Sequence, residues 1–464
     1  MNRTAPGAAE ALGSAFLSIL REGPASFSDW EAAALELGRR CVAEAMAAAL
    51  EARDRDLRSS LPRGARVHSL RRRTLATPTG DVTFSRTLCL DADGLALCPL
   101  DEALDLPRGD RVSPAAREFL VAAGIEVPYA RAARLLALSG GSLVSATCVM
   151  GSVRAAGAEV AARQREAARA LYEDGVHPAS EMLAAPELFV EGDGTFVRMR
   201  DGSRAEVRAM VAYAGKEGPA GRRSRVSPVR LGCVGEAPGD FWRQAVAHLG
   251  SRFDLSSVGR CHLGADGEPA YLDAGPQALR FREVDSWVDP FHVDRAVLSC
   301  FPKGSPRRAE ALASLRGSGA EACAGLIEAA AAAGECLSGA GDVASYLRRH
   351  APQIGGGPSM GTMEAEQQHM YKVRMGSFPC AWLREGADAV ARLRSWAASG
   401  MALPRRTREG SLSAARADAR GSRVGSSPRM VAARAVKSEG RGWEYPLTAI
   451  LRGAASDVRF RAGV

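Results

Sequence analysis

The chain has 464 residues, 46% of them hydrophobic and 25% charged, which excludes an intrinsically disordered protein and, at roughly 100–200 residues per domain, predicts about three domains. The net charge of +8 lies entirely in residues 401–464, which hold 13 Lys and Arg against 5 Asp and Glu. Ten scattered cysteines, with no Cys-x-x-Cys pair and no Cys/His spacing suited to zinc, exclude a disulfide scaffold and predict reduced thiols.

Residues 1–62 are predicted to form a helical region. Leu12, Phe16, Ile19 and Leu20 have the spacing of an amphipathic helix. The same stretch lacks the basic start, long apolar block and cleavage site of a secretory leader. The longest uncharged window further along is broken by two adjacent glycines and is dotted with Ser and Thr. We therefore expect a cytoplasmic protein that spans no membrane.

Residues 63–110 are predicted to form a basic segment followed by a small β element. The basic run includes Arg71, Arg72 and Arg73, a composition suited to DNA phosphates but also to a solvated face. Alternating apolar residues after Gly80 predict a short hairpin.

Residues 111–180 are predicted to form a helix-turn-helix-like domain. The three helical stretches are residues 113–123, 129–139 and 142–157, separated by short breaks. In this interpretation the last helix is the recognition helix. Its candidate DNA contacts are Ser145, Thr147, Ser152 and Arg154. A three-helix bundle without a nucleic-acid role fits the pattern almost as well.

Residues 181–398 are rich in predicted strands and contain two acidic turns. Strands are predicted at residues 188–197, 205–214, 229–234 and 282–288, with a further short strand after Val258. Asp193 lies near the centre of the first strand, and Asp266 follows the short strand between glycines. A carboxylate at the end of a strand is well placed to reach a ligand. Asp-Gly on its own, however, is first of all a turn signal.

The second half of this region is predicted to be mostly helical. Helical stretches cover residues 307–315, 321–333 and 343–350. A further helix begins at Met363 and carries Glu364 and Glu366, which differ by about 200° around the axis, so that only one of them can face a given site. Without other information both would be ordinary glutamates on a solvated face.

Residues 399–464 form the basic tail. Arg405, Arg406 and Arg408 lie among small and polar residues. This composition favours either contact with DNA phosphates or a tail that only increases solubility.

Seven motifs occur in a fixed order along the chain. They are Gly-Asp-Val-Thr-Phe-Ser-Arg at 80–86, Leu-Asp-Glu at 100–102, the helical unit at 113–157, Glu-Gly-Asp-Gly-Thr at 191–195, Gly-Ala-Asp-Gly at 264–267, Asp-Pro-Phe-His at 289–292 and Gly-Thr-Met-Glu at 361–364. The ordered set, over roughly residues 65–396, resembles the ISLre-type bacterial insertion-sequence transposases, which are DDE recombinases often described only as an uncharacterised transposase-like family.

The resemblance implies an α/β fold. Residues 181–398 would form an RNase H-like mixed sheet flanked by helices, with an all-helical insertion at about 295–357, after a helix-turn-helix-like DNA-binding region. In such a domain the first acid lies on the first strand, the second follows the fourth strand, and a glutamate lies on a later helix. Position by position, these are Asp193, Asp266 and Glu364, the implied catalytic residues and metal ligands.

The implied cofactor is a pair of Mg²⁺ or Mn²⁺ ions. Two ions roughly 3.5–4 Å apart stabilise both ends of an in-line phosphoryl displacement, and carboxylate oxygens suit these hard cations better than zinc. Asp289, His292 and His369 are candidates to orient the metal ligands without binding the ions themselves. For Asp289 and His292 an abrupt turn into a helix is an equally good interpretation.

The resemblance implies a transposase that binds double-stranded DNA, both the terminal inverted repeats and the target. Because two ends must be joined, we expect a homo-oligomer associated with the nucleoid. One alternative is a catalytically decayed or repurposed DNA-binding protein on the same fold. Another is an RNase H-like nuclease that cuts without strand transfer.

Overall fold

The computed structural model describes residues 6–61, 63–176, 183–219, 222–355, 357–358, 360–376 and 380–404. Arg405, Arg406 and Arg408, with the rest of the basic tail from residue 405, lie outside the described residues. None of the helices in the described part combines the length and apolar composition of a membrane-spanning segment. All ten cysteines are free thiols, five buried and five half-buried, in agreement with the predicted reduced state.

The N-terminal region packs two helices against a small antiparallel sheet. Its elements are α1 (Pro6–Arg21), α2 (Phe27–Arg58), β1 (Arg66–Thr77), β2 (Gly80–Leu90), β3 (Ala96–Leu97) and α3 (Pro99–Ala103). The hairpin closes with Thr77 opposite Gly80, whose φ of 104° favours glycine at the turn. The predicted helices and hairpin are present, but the first strand is longer than expected and contains the basic run.

Three helices follow the small sheet: α4 (Pro114–Glu126), α5 (Tyr129–Leu138) and α6 (Ala146–Tyr172). Ser113 and Ser145 cap α4 and α6 by accepting backbone hydrogen bonds. The predicted end of the third helix at Gly157 is wrong. A Cβ at Gly157 would lie 2.3 Å from the Cβ of Ala389, so this glycine allows another helix to cross closely and does not end α6.

The central sheet has five strands. The elements of this part are β4 (Leu183–Ala184), β5 (Glu187–Arg198), β6 (Arg204–Tyr213), β7 (Lys216–Glu217), β8 (Ser224–Arg225), β9 (Val229–Val234), α7 (Pro238–Leu249), β10 (Phe253–Asp254), a 3-10 turn (Leu255–Ser257), β11 (Arg260–Ala265), α8 (Pro269–Leu272), α9 (Ala274–Leu279) and β12 (Glu283–Val288). The order is β12-β11-β5-β6-β9. β11 is parallel to both β12 and β5, and β6 is antiparallel to both of its neighbours.

The remaining part of the described chain is helical. It comprises α10 (Pro290–Ser299), α11 (Arg307–Ser318), α12 (Ala320–Ala332), α13 (Ala340–Arg349), a 3-10 turn (Ala351–Gln353), α14 (Met363–Glu366), a π-helical turn (Gln367–Lys372), α15 (Val373–Met375) and α16 (Arg384–Ala398). The helical stretches predicted between residues 307 and 350 are all present.

Helices cover both faces of the central sheet. Trp242 of α7 packs with Leu188, Val190 and Leu263 on one face. Val197 packs with α6 and α16 residues on the other. Burial on both faces explains the near-continuous apolar runs of the strands. The fold is therefore mixed α/β, which confirms the predicted α/β class.

Buried His248 of α7 makes stability depend on pH. It is 5% exposed and stacks on Trp396 at 5.4 Å between ring centroids. Burial lowers its pKa to about 4. Because the unfolded chain binds the proton at a pKa of about 6.5, stability is present above that pH and is lost as pH falls through 6.5 towards 4.

We therefore expect acidification from pH 7 to pH 4 to cost the wild type about 3 kcal/mol more than it costs His248→Gln. Urea unfolding of both chains at several pH values measures the difference. Parallel pH profiles for the two proteins would contradict the assignment of this dependence to His248.

Candidate active site

Asp266 and Asp289 lie at the carboxyl ends of two parallel strands, and Asp193 lies within the neighbouring strand β5. Asp266 follows β11 directly, and Asp289 follows β12. Glu191 of β5 is opposite Gly264, so the same register carried two residues further places Asp193 beside Asp266. Ala265 is opposite Val288, which places Asp266 beside Asp289 in the same way. This edge of an α/β sheet is where ligands commonly bind.

Asp193 is 9% exposed and is held by its surroundings. One of its carboxylate oxygens accepts a hydrogen bond from the backbone N of Gly194 (2.7 Å). Its carbonyl accepts one from Nε2 of Gln367 (2.9 Å). The second contact ties the helix that carries Glu364 to the strand that carries Asp193.

The charges of Asp266 and Glu364 act on the carboxylate of Asp193. Burial, together with the negative charges of Asp266 and Glu364, raises the pKa of Asp193 to about 7, against the opposing effects of the Gly194 N–H and the Lys372 charge. Carboxylates that crowd one another in this way favour either a shared proton or a bound cation. Asp266 and Glu364 therefore each lie within electrostatic reach of Asp193.

Asp266 and Asp289 also hold local structure. Asp266 accepts a hydrogen bond from the backbone N of Glu268 (3.0 Å), and its carbonyl accepts one from the hydroxyl of Tyr346 (3.0 Å). Asp289 caps α10 by accepting from the backbone N of Phe291 (2.9 Å). Burial, together with the charges of both aspartates, raises the pKa of Tyr346 to about 12.

Glu364 and Glu366 point to different environments. Glu364 has a 62% exposed side chain and lies 3.5 Å from Nζ of Lys372. Glu366 is buried, and its carboxylate binds Arg230 (2.8 Å) and Arg225. Burial opposes ionisation of Glu366, but the hydrogen bonds and charges of these arginines lower its pKa overall. This geometry agrees with the expectation that only one of the two glutamates can face the aspartates, because Glu366 is already paired with Arg225 and Arg230.

The two histidines predicted to support the site do not contact its acids. His292 is half-buried and packs edge-on against Phe291 at 5.7 Å. The side chain of His369 is exposed, and its carbonyl accepts a hydrogen bond from Nη2 of Arg394 (3.0 Å). In the described part of the chain no hydrogen bond joins either imidazole to Asp193, Asp266 or Glu364.

The donor set is chemically suited to Mg²⁺ or Mn²⁺, because it consists of carboxylate oxygens whose mutual repulsion a cation would relieve. The carboxylates are not yet gathered around one point. Among the described residues no three His, Cys, Asp or Glu side chains are close enough to hold one ion. The three side chains are of the type that binds Mg²⁺ or Mn²⁺. The side chain of Glu364 would have to turn away from Lys372 to join Asp193 and Asp266 around an ion.

The predicted DNA contacts need two corrections. Arg73 is buried, forms an ion pair with Asp101 (2.8 Å) and donates to the carbonyls of Pro107 and Asp110. Its guanidinium supports the small sheet and does not reach solvent. Ser152 is buried too, and it accepts a hydrogen bond from Arg117 (3.2 Å).

The other described candidates for DNA contact remain accessible. Arg71, Arg72, Ser145 and Thr147 are exposed, and Arg154 is partly exposed beside Glu385 (3.2 Å). A groove of about 750 Å³ runs between β1 and the start of α6. Its exposed polar lining includes Arg72, Asp81, Arg111 and Ser145. The sequence prediction did not include Arg111, which lies outside any basic run.

Together, these observations define a mixed α/β protein in which the register of three parallel strands sets Asp193, Asp266 and Asp289 side by side. The chain belongs to the family described as "Uncharacterised protein family (UPF0236)", whose model matches residues 21–410.

Three similar proteins carry this family name. A UPF0236 protein of Caldanaerobacter subterraneus subsp. tengcongensis is 22% identical over 382 residues, which is 79% of this chain and 77% of the relative. A second from the same organism is 22% identical over 71% of this chain and 65% of its own length. The UPF0236 protein in the vanSb 3' region of Streptococcus gallolyticus is 23% identical over 58% of each chain. This chain therefore spans less than two thirds of the second and third relatives.

Proposed function

We propose that the protein is a DDE-type transposase that cuts and joins DNA by two-metal-ion phosphoryl transfer. The observation that carries the proposal is the parallel register of β5 and β11, which sets Asp193 beside Asp266, and the charges of Asp266 and Glu364 both act on Asp193. Two aspartates and a glutamate supply the kind of oxygen ligands that a pair of Mg²⁺ or Mn²⁺ ions needs.

The order of the elements supports an RNase H-like interpretation of the sheet. Of its five strands in chain order, β5 is the first and carries Asp193, and β11 is the fourth and immediately precedes Asp266. Four helices separate β12 from the helix of Glu364. This is the arrangement that the resemblance to insertion-sequence transposases implies, including the helical insertion before the last acid.

Asp193, Asp266 and Glu364 would hold the two ions, which when bound activate the attacking oxygen and stabilise the leaving one. The protein's own contribution is positional. Asp193 is fixed by burial and by the Gly194 N–H. Among the described residues, Glu364 pairs with Lys372 at the surface, an interaction worth about 0–1 kcal/mol, so it is able to turn towards the aspartates.

Double-stranded DNA is the proposed partner. The groove beside β1 presents Arg72 and Arg111 next to the start of α6, and exposed Arg71 lies on the same strand. Guanidinium groups bind phosphates bidentately, so this surface suits a duplex backbone. We propose that a homo-oligomer at the nucleoid brings two element ends together.

A relative's name adds support for a mobile element. One Caldanaerobacter relative is 23% identical over 291 residues, and its name combines eleven separate protein designations from the same organism. A gene that copies itself within one genome would produce a name of this kind.

The second candidate is a catalytically decayed DNA-binding protein on the same fold. One observation favours it: the described acids do not form a preassembled site for a single ion. It predicts DNA binding without metal-dependent cleavage. A third candidate, a nuclease, would cleave without strand transfer.

The decisive experiment is cleavage and strand transfer of a labelled duplex taken from the DNA that flanks the gene on each side, in Mg²⁺ and in Mn²⁺. Asp193→Asn and Asp266→Asn should each lower the cleavage rate at least about 10³-fold, because metal ligation contributes several kcal/mol to the transition state. Duplex affinity should stay within about threefold of wild type.

Asp201→Asn is the matched control. Asp201 is exposed and accepts a hydrogen bond from the backbone N of Ser203 (2.9 Å), just as Asp266 does from Glu268. Its substitution should leave cleavage unchanged. Duplex binding by a wild type that never cleaves would favour the decayed protein, and cleavage without joining would favour the nuclease.

A further inference from the structure

A second carboxylate faces the same side of β5 as Asp193. Glu191 precedes Asp193 by two residues, so both side chains point to one face of the sheet. Glu191 is only 3% exposed. Burying a carboxylate is costly unless hydrogen bonds compensate for the lost water, so the partners of Glu191 indicate its role.

Three donors converge on the Glu191 carboxylate. The hydroxyl of Tyr213 donates to Oε1 (2.7 Å). The backbone N of Thr362 donates to Oε2 (2.8 Å), and the hydroxyl of Thr362 donates to Oε1. Burial and the charge of Glu191 both raise the pKa of Tyr213, which keeps the phenol neutral and able to donate. Both oxygens of Glu191 are therefore engaged by the fold.

Thr362 lies at the start of the helix that carries Glu364. It immediately precedes α14 and stands two residues before Glu364. Nζ of Lys216 donates to the carbonyl of Met360 in the same segment, and Gln367 further along the helix binds the carbonyl of Asp193. The start of the helix is thus attached to the sheet on both sides of Glu364.

We propose that Glu191 is a positioning residue for the metal site and not one of its ligands. Its carboxylate holds Thr362 against β5 and so fixes the distance from Glu364 to Asp193. This inference rests on the proposed function, since it gives Glu191 a role in placing the proposed ligands. Groups that orient metal ligands typically contribute 10–100-fold to metal affinity or activity.

The test is Mn²⁺ binding to the full chain. It is measured by titration calorimetry and by the electron paramagnetic resonance signal of the free ion. Glu191→Gln should keep the number of bound ions and weaken their affinity about 10–100-fold, because one amide group replaces an acceptor oxygen opposite the Thr362 donors. Thr362→Val should weaken it about tenfold. Thr362→Ser keeps the hydroxyl and should bind within about twofold of wild type.

Asp54→Asn is the matched control. Asp54 is also 3% exposed, and it accepts from the backbone N (2.9 Å) and the hydroxyl (2.6 Å) of a single threonine, Thr87. The pattern is the same, but it lies between α2 and β2. Its substitution should lower stability without changing Mn²⁺ affinity.

A second measurement follows the helix start directly. Hydrogen exchange of the Thr362 amide should be faster in Glu191→Gln than in wild type, while Asp54→Asn should leave it unchanged. This readout needs no metal, and it reports whether Glu191 holds the segment.

Three results would overturn the inference. Loss of one bound ion in Glu191→Gln, as expected for Asp193→Asn, would make Glu191 a ligand. Wild-type affinity and wild-type Thr362 exchange in Glu191→Gln would show that Glu191 positions nothing. A wild-type chain that binds no Mn²⁺ would overturn the proposed function itself, and with it the role of Glu191 in metal affinity.

Discussion

The variant Glu364→Gln is expected to lose metal-dependent cleavage by about 10³-fold or more. An amide in place of the carboxylate removes a charged oxygen ligand while nearly preserving the shape of the side chain. Its free energy of unfolding should change by less than about 0.5 kcal/mol, because the side chain is 62% exposed and its contact within the described part of the chain is a surface ion pair with Lys372. Single-turnover cleavage in Mg²⁺ and urea unfolding without metal measure the two effects.

The same substitution at Glu366 is the control, two residues along the same helix. Glu366 is buried between Arg225 and Arg230, so Glu366→Gln leaves two guanidinium groups uncompensated and should cost about 3 kcal/mol of stability. Where it remains folded, the metal dependence of its cleavage should match wild type. Wild-type cleavage by Glu364→Gln, or equal losses in both folded variants, would contradict the assignment of Glu364.

The secondary structure was largely predictable because local patterns determine it. The apolar run at 229–234 predicts a strand, and β9 has these bounds. The helix from Ala146 shows the limit of such patterns. Gly157 is a helix-ending signal by composition, yet in the structure it accommodates Ala389 of α16. Only the partner helix, more than 200 residues away, explains the glycine.

The site was predictable in its residues but not in its geometry. Resemblance selected Asp193 and Asp266, but only the parallel register of β5 and β11 places them side by side. Strand alternation alone would have placed Glu191 on the face of Asp193. Its bond to Thr362 depends on a contact across 171 residues. Likewise, no local pattern shows that Asp101 buries Arg73.

Buried Arg392 connects helices that pack against the central sheet. Arg392 of α16 is fully buried, and its ion-pair partners are Asp388 (2.9 Å) and Glu236 (2.6 Å). It also donates to the side chains of Gln164 of α6 and Gln244 of α7 (2.9 Å). The charge of Arg392 lowers the pKa of Glu236 despite the opposing effect of burial. One guanidinium group therefore connects α16 to α6, to α7 and to the loop before α7.

Arg392→Met should lower the free energy of unfolding by about 3–5 kcal/mol, because it removes the buried cation that pairs with the partly buried carboxylates of Asp388 and Glu236. Adding Asp388→Asn and Glu236→Gln should recover part of the loss by removing those charges. Arg165→Met is the matched control, since exposed Arg165 binds the same Glu236 at 2.8 Å, and it should cost less than about 1 kcal/mol. Urea unfolding of the four chains tests the network, and equal costs for Arg392→Met and Arg165→Met would show that burial of this guanidinium contributes nothing beyond a surface pair.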